Sequence, residues 1–288
     1  MKKILITGST GFIGSNLLEN LIDRHIIYTT VRSNNLKKIN KSKNLRIIHF
    51  KNHNELNKKL KKLQLNTVIH CATHYVKNHK FEDIKKIIKA NIEFGNILLE
   101  NLNVMNVKKF INFTTVWENY DGTKNNSFNL YSASKKAFGN FINFYNKKYK
   151  KIKFYNIFVS DTYGKNDRRA KLVNLLQKNY QQNKTITIVS KNLFLNLLNI
   201  KDVISAIKFL LQKKIKPGNY NLLNKVNFKI YNVIKKLKKK KKSNLKFQWV
   251  SSVIIKEKIY NHKKLPLWNP RFSDVNNLVN FILKIGQL

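Results

Sequence analysis

The segment Thr7-Gly8-Ser9-Thr10-Gly11-Phe12-Ile13-Gly14 sets glycines at three-residue intervals, directly after an apolar run and at the opening of a helical pattern. In a strand-turn-helix, Gly8 permits the tight turn, Gly11 lets the backbone approach a pyrophosphate, and Gly14 lets helix pack closely on strand. The amides of Thr10, Gly11, Phe12 and Ile13 then stand at a helix N-terminus, where phosphate is favoured. The whole chain has nine glycines, and three of them in one short window argue against a plain turn. Dinucleotide binding is the chemistry this spacing predicts.

A second grouping is Tyr131-Ser132-Ala133-Ser134-Lys135. A phenol and an ammonium four positions apart share one helix face, so Lys135 can reach both the phenol and a bound ribose. The spacing alone proves little, because twelve tyrosines among 51 lysines should give about two such matches by accident, and six occur, at Tyr120, Tyr131, Tyr149, Tyr180, Tyr231 and Tyr260. Context selects Tyr131. Tyr120 precedes an Asp121-Gly122 turn, Tyr149 ends a helix, and the last three lie beyond the half expected to hold the dinucleotide.

The elements that position these groups are legible as alternating periods. Ile4 to Thr7, Ile26 to Val31, Leu45 to Phe50, Thr67 to Cys71, Lys109 to Thr114 and Phe154 to Val159 read as strands. Phe12 to Ile22, Leu56 to Leu63, Phe81 to Leu102 and Tyr131 to Tyr149 read as helices between them. In the long helix Ile84, Ile87, Ile88, Ile92, Leu98 and Leu99 form one stripe expected to face the sheet. The alternation predicts an α/β fold, a Rossmann-like doubly wound parallel sheet with a smaller C-terminal lobe. The expected division is residues 1–164 for the dinucleotide and 165–288 for substrate, with about 201–211 returning to the first lobe. There is no internal repeat and no linker rich in Pro, Gly or Ser.

A net charge of +43 invites a nucleic-acid partner, but only six of the 57 basic residues are arginine. Nucleic-acid readers favour arginine for its planar, bidentate fork, so the excess reads as lysine drifted onto exposed positions, and no specific nucleic acid is expected. The run from Lys235 to Lys242 reads as a solvated helix end. With 42% hydrophobic residues the chain can pack a core, which excludes a wholly disordered protein. A lone Cys71 cannot form an intramolecular disulfide, no Cys/His spacing suits a metal, and no apolar run approaches the ~18 residues of a membrane span. The opening Met1 to Ile6 is too short in its apolar part for a signal peptide, and a cytoplasmic protein is expected.

The glycine spacing at the N-terminus together with Tyr131-x-x-x-Lys135 resembles the extended short-chain dehydrogenase/reductases, the branch of epimerases, dehydratases and reductases of sugar nucleotides. The resemblance implies that Thr115, ending the fifth strand with Thr114 as second choice, hydrogen-bonds a substrate carbonyl while Tyr131 acts as general acid and Lys135 tunes it and holds ribose. It implies a lining for the cofactor from Cys71, Ala72 and Thr73, a supporting role for Asn91, and a homodimer through the helices bearing Asn91 and Tyr131. This branch reads ribose with a carboxylate at the end of the second strand. Here the strand ends Val31-Arg32-Ser33-Asn34, so the 2′-phosphate of NADP is expected on Arg32 and Ser33, with NAD the alternative.

Thr115-Val116-Trp117-Glu118-Asn119-Tyr120, Asp161-Thr162-Tyr163-Gly164, Lys201-Asp202-Val203 and Leu265-Pro266-Leu267-Trp268-Asn269-Pro270 are similar to the 4-keto reductases of CDP-dideoxyhexose pathways. Dehydratases carry Asp-Glu after the catalytic Thr, whereas Val116-Trp117 follow here, so no carboxylate pair stands ready to expel water. The resemblance therefore implies NADPH-dependent reduction of the 4-keto group of a nucleotide-linked 6-deoxy sugar, with Trp117, Arg169 and Lys171 as substrate contacts. The alternatives are a 4-epimerase and a dinucleotide-binding sensor without turnover.

Overall fold

The computed structural model describes residues 1–32, 42–182, 184–240 and 246–284. Ser33, Lys241 and Lys242 lie outside the described residues. Contacts divide the chain into two units: Met1–Val159 with Lys214–Asn221 and Ile259–Lys263, and Ser160–Lys213 with Leu222–Lys258 and Lys264–Leu288.

The first unit runs β1 (Lys3–Thr7), α1 (Phe12–Leu21), β2 (Ile26–Arg32), β3 (Leu45–Phe50), α2 (His53–Leu60), β4 (Thr67–His70), α3 (Phe81–Ile88), α4 (Phe94–Asn101), β5 (Lys109–Thr115), α5 (Leu130–Lys148) and β6 (Lys153–Val159). The second unit takes β7 (Asp161–Tyr163), α6 (Leu172–Gln181), β8 (Ile186–Ser190), β9 (Leu193–Leu195), β10 (Leu197–Asn199) and α7 (Ile200–Gln212). After β11 (Gly218–Leu222) come β12 (Phe228–Lys229), α8 (Ile230–Lys240), β13 (Phe247–Ser251), β14 (Ile255–Lys256), β15 (Lys263–Lys264) and α9 (Val275–Ile282).

The large sheet has the order β15-β11-β6-β5-β4-β1-β2-β3, and every pair from β3 to β6 is parallel. Its central strands are buried continuously, as in β4, because helices cover both faces of such a sheet. The strand order reverses between β1 and β4. In a doubly wound sheet the crevice beyond the carboxyl ends at that reversal is where a ligand is received, so topology already points to the loops after β1 and β4.

The first core joins Leu98 and Leu99 of α4 and Phe138 and Ile142 of α5 to Val68 of β4 and Phe110 of β5. The expected helix over 81–102 is instead two helices joined by a π turn, Lys89–Glu93. An i→i+5 turn inserts one residue and rotates the face that follows, so a single stripe cannot stay against the sheet. Ile87, Leu98 and Leu99 are buried, while Ile84 and Ile88 are 38% and 41% exposed. The turn also carries Asn91 inward, where it is fully buried.

The returning segment is Lys214–Asn221 rather than 201–211, and α7 groups with the second unit. The reason is hydrogen bonding: β11 adds to the large sheet beyond β6, and Tyr155 Oη donates to the Ile215 carbonyl at 2.7 Å. In the second unit, Tyr163, Leu176, Val233, Ile234 and Val279 pack a separate core. Among the described residues no helix is long and apolar enough to cross a membrane.

Candidate active site

Gly8 has φ +71°, and a Cβ there would sit 2.7 Å from the backbone of Ala72, so the loop after β1 touches the loop after β4 only because this position is glycine. A Cβ on Gly14 would lie 2.2 Å from the Gly8 carbonyl oxygen, which draws α1 against the turn. The turn closes through the Gly11 amide, which donates to the Gly8 carbonyl at 2.9 Å, and Gly11 is the N-terminal cap of α1. Beside it opens a cavity of about 510 Å³ lined by Gly8, Thr10, Gly11, Arg32, Cys71, Ala72 and Thr73 among others. Phe12, Ile13 and Gly14 form the first turn of α1 behind that wall. A backbone cradle with no room for side chains, at a helix N-terminus, fits a dinucleotide pyrophosphate.

Arg32 ends β2 and is exposed beside this cavity, paired in register with Phe50. Lys51, Asn52 and His53 follow on the turn after β3, and Lys86 and Lys89 approach from the other side. None of the described lining residues is Asp or Glu. The sequence reading missed Lys51, Lys86 and Lys89, for nothing separates them from the other lysines until the loops are brought together. His53 is held by Glu93 through its Nδ1.

The floor at the end of β4 is tied down by side chains. Thr7 Oγ1 and His70 Nδ1 are 2.8 Å apart, and His70 packs on Phe94, Phe110 and Phe138. Burial holds the His70 imidazole well below its ordinary pKa, so it is a neutral core residue. Burial likewise pushes the Cys71 thiol up, away from the thiolate that nucleophilic chemistry needs. Asn91 clamps the next loop: its Oδ1 accepts from the His74 amide at 2.7 Å and from Thr73 Oγ1 at 2.9 Å, and its Nδ2 donates to the His74 carbonyl and to Ser134 Oγ.

α5 begins at a capping box in which Asn129 Oδ1 accepts from the Ser132 amide and Ser132 Oγ from the Asn129 amide. That cap sets Tyr131 in the first turn, half-buried, with its ring edge-on to Tyr75 at 5.0 Å. One turn on, Lys135 is 2% exposed. Its charge pulls down the pKa of both Cys71 and His70, though less than their burial shifts them, which sets the ammonium near the end of β4. Thr115 is the last residue of β5 and is buried, and its Oγ1 accepts from the Trp117 amide at 3.2 Å. Trp117 packs on Phe128 and lies 6.5 Å from Tyr75. Thr114 is committed otherwise, donating its hydroxyl to Glu118.

Glu118 is the residue the sequence reading passed over. It lies in the 3-10 turn Val116–Gly122 and is 6% exposed. Burial raises its pKa, opposed by Lys135 and then Lys136, while burial lowers that of Lys135, opposed by Glu118. Burial prevails at both groups, pushing Glu118 up to about 8 and Lys135 down to about 8. No Glu spacing marks it, because the coupling depends on the turn folding back under α5.

Arg169 and Lys171 belong to the second unit, and each is engaged there. Arg169 pairs with Asp167 at 2.7 Å and donates to Thr162 Oγ1 and carbonyl, and Lys171 pairs with Asp161. Asp202 is fully buried and accepts from the Arg271 and Phe272 amides and Ser273 Oγ, so the late Asp-Val motif anchors the segment after Leu265-Pro266-Leu267-Trp268.

Comparison with known proteins agrees with this geometry. The chain is 27% identical to a CDP-abequose synthase of Yersinia pseudotuberculosis over 209 residues, 72% of each chain. It is 28% identical over 277 residues to a dTDP-D-glucose 4,6-dehydratase of Dictyostelium discoideum, covering 82% of this chain and 62% of that one. In fold it is similar to a UDP-N-acetylglucosamine 4-epimerase from Methanobrevibacter ruminantium, with TM-score 0.82, 16% identity and coverage of 100% and 99%. Residues 4–222 match the NAD dependent epimerase/dehydratase family. With its glycine cradle, switch-point crevice and Tyr131/Lys135 pair, the chain belongs to that family and is an NAD(P)-dependent enzyme of the extended short-chain dehydrogenase/reductase class.

Proposed function

We propose that the protein uses NADPH to reduce the 4-keto group of a nucleotide-linked 6-deoxy sugar. The observation that carries the choice of NADPH is the cavity wall: Arg32, Lys51, Lys86 and Lys89 surround it and no described lining residue is acidic. A 2′-phosphate is favoured by such a wall and the bare ribose hydroxyl gains little from it. Similarity to CDP-abequose synthases and the absence of a carboxylate directly after Thr115 support reduction over dehydration.

The cradle of Gly8, Thr10 and Gly11 would hold the pyrophosphate, Arg32 the adenosine phosphate and Lys135 the ribose beside the nicotinamide. When bound, the reduced nicotinamide supplies a hydride to the carbonyl carbon. Thr115 orients the carbonyl oxygen through its hydroxyl, and Tyr131 gives that oxygen its proton, completing the alcohol. Lys135 stabilises the phenolate left behind, lowering the phenol from its ordinary pKa of ~10. Trp117, tilted against Tyr75 with ring centroids 6.5 Å apart, would bound the sugar, and Arg169 and Lys171 would hold the diphosphate.

Purified protein mixed with NADPH and a CDP- or dTDP-4-keto-6-deoxy sugar should oxidise the nicotinamide in step with alcohol formation. Tyr131→Phe should lower kcat at least ~100-fold with NADPH affinity retained. Full turnover in that variant would overturn the role of Tyr131. Protein that purifies with tightly held nucleotide and interconverts epimers without net oxidation would instead be a 4-epimerase.

A further inference from the structure

Gly139 stands at the midpoint of α5, where glycine is the least favourable residue after proline. Close approach explains the glycine at 95, since a Cβ there would lie 2.4 Å from the Phe138 ring. No such reason holds at 139. A Cβ on Gly139 would meet no atom within 4 Å. The residue instead lines a second cavity, of about 240 Å³, whose walls all belong to the first unit. This cavity shares no lining residue with the one beside the glycine turn.

The cavity contains a ladder of side-chain amides laid across β5, β6 and β11. Asn112 Nδ2 donates to Asn156 Oδ1 at 3.2 Å, and Asn156 Nδ2 donates to Asn219 Oδ1 at 2.9 Å. Bonded head to tail, the ladder keeps an acceptor at its β5 end and a donor at its β11 end. The acceptor is Asn112 Oδ1: the residue is 1% exposed, and this oxygen has no partner among the described residues. A buried acceptor of this kind requires a group that brings a hydrogen. Elsewhere in the lining, Thr114 donates its hydroxyl to Glu118, and Phe158 stacks on His262 with centroids 3.9 Å apart. Lys136 is engaged by Asn119 and Asn125, while Lys124 and Lys135 add further N–H donors. An anion would suit those lysines, but it would face the Glu118 carboxyl and leave Asn112 Oδ1 without a hydrogen.

We propose that this cavity is a second, non-catalytic binding site for one neutral polyhydroxylated ring, a free monosaccharide or cyclitol, received against the amide ladder of Asn112, Asn156 and Asn219 beside Gly139. Its size is many times the ~10–15 Å³ that one water needs and below the ~300–1,000 Å³ of sites for drug-sized ligands, which is the scale of a single ring. Each hydroxyl both donates and accepts. One hydroxyl gives its hydrogen to Asn112 Oδ1, others accept from the free amide N–H groups and from Lys124, and a C–H face of the ring lies against the aromatic wall. The missing side chain at Gly139 leaves the room. The site is independent of the reaction assigned to Tyr131.

Gly139→Ala and Gly139→Leu both replace the helix-interior glycine by a better helix former, so both should melt at higher temperature than wild type. Only leucine fills the cavity. Equilibrium dialysis of the full chain against radiolabelled D-glucose, and separately myo-inositol, at up to ~10 mM reads the site without turnover. Wild type should bind one ring per chain with a Kd of about 1 mM. Gly139→Ala should bind within about twofold of wild type and Gly139→Leu at least about tenfold more weakly, with NADPH affinity within about twofold in all three. Wild type that takes up neither ring, leaving water as the occupant, would overturn the proposal. Equal binding by Gly139→Leu would place the ring elsewhere and overturn it too, and inorganic phosphate that displaces the ring would overturn the neutral class. Wild type that binds the ring but reduces no ketosugar would defeat the functional reading and leave this site standing.

Discussion

Arg32, which ends β2 at the rim of the first cavity, is the residue proposed to hold the 2′-phosphate. Charge-assisted bonds to a phosphate contribute about 1.5–3 kcal/mol, so Arg32→Asp should weaken NADPH binding ~10- to 100-fold and leave NADH nearly unchanged. Equilibrium titration of both nucleotides checks this, and an unaltered NADPH affinity would remove Arg32 from the site. His70 makes a second residue-scale prediction. Its folded pKa lies well below the ordinary value of ~6.5, so the unfolded chain binds more protons as pH falls through that value. The stability it contributes is present above pH ~6.5 and lost below, and His25 and His262 shift the same way. Thermal melting should therefore show Tm falling from pH 7.5 to 5.5, and His70→Asn should flatten part of the slope; a Tm that rises would contradict the sign. The turn at Gly8 and the placing of Tyr131 and Lys135 one turn apart on α5 were legible from spacing, because both are local geometry.

Among the elements, the π turn at Lys89–Glu93 has the clearest consequence. It turns Asn91 into the core, where four hydrogen bonds fasten Thr73, His74 and Ser134. Asn91→Ala leaves those buried groups unpaired, at about 1–3 kcal/mol for each group not rescued by water. Denaturant unfolding should show a loss within that range, and turnover should fall more than dinucleotide affinity, since the clamp holds the loop between β4 and α3 rather than the glycine cradle. Stability equal to wild type would show that the clamp is not needed. The run of isoleucines in 81–102 suggested one uninterrupted stripe, and it misled because side-chain type records hydrophobicity but not a change of helical pitch. Asn91 does not stand out in that run, which also holds Asn96 and Asn101. The strands, by contrast, were read to within a residue or two: β3 at Leu45–Phe50 and β5 at Lys109–Thr115 are short apolar runs bounded by polar loops.

For the whole molecule, a charge of +43 on 288 residues is a standing self-repulsion. Screening lengths of ~10 Å at 0.1 M salt cover the spacing of exposed lysines, so Tm should rise as sodium chloride is increased from low salt. A Tm that falls with salt would mean that attractive pairs dominate instead. The lysines are not evenly inert, however. Lys236 and Lys240 on α8 reach Asn276 and Asn280 of α9, so part of the basic run serves to join two helices of the second unit. The sequence by itself determined the alternation of strand and helix, the glycine turn and the Tyr131/Lys135 pair, because these depend on local period and covalent spacing. Only the tertiary structure decided that Asn91 is a clamp, that Lys51, Lys86 and Lys89 border the cavity beside the glycine turn, and that Glu118 is buried with Lys135. Those roles come from desolvation and from neighbours brought together across many residues of chain, and neither quantity is written in the order of the residues.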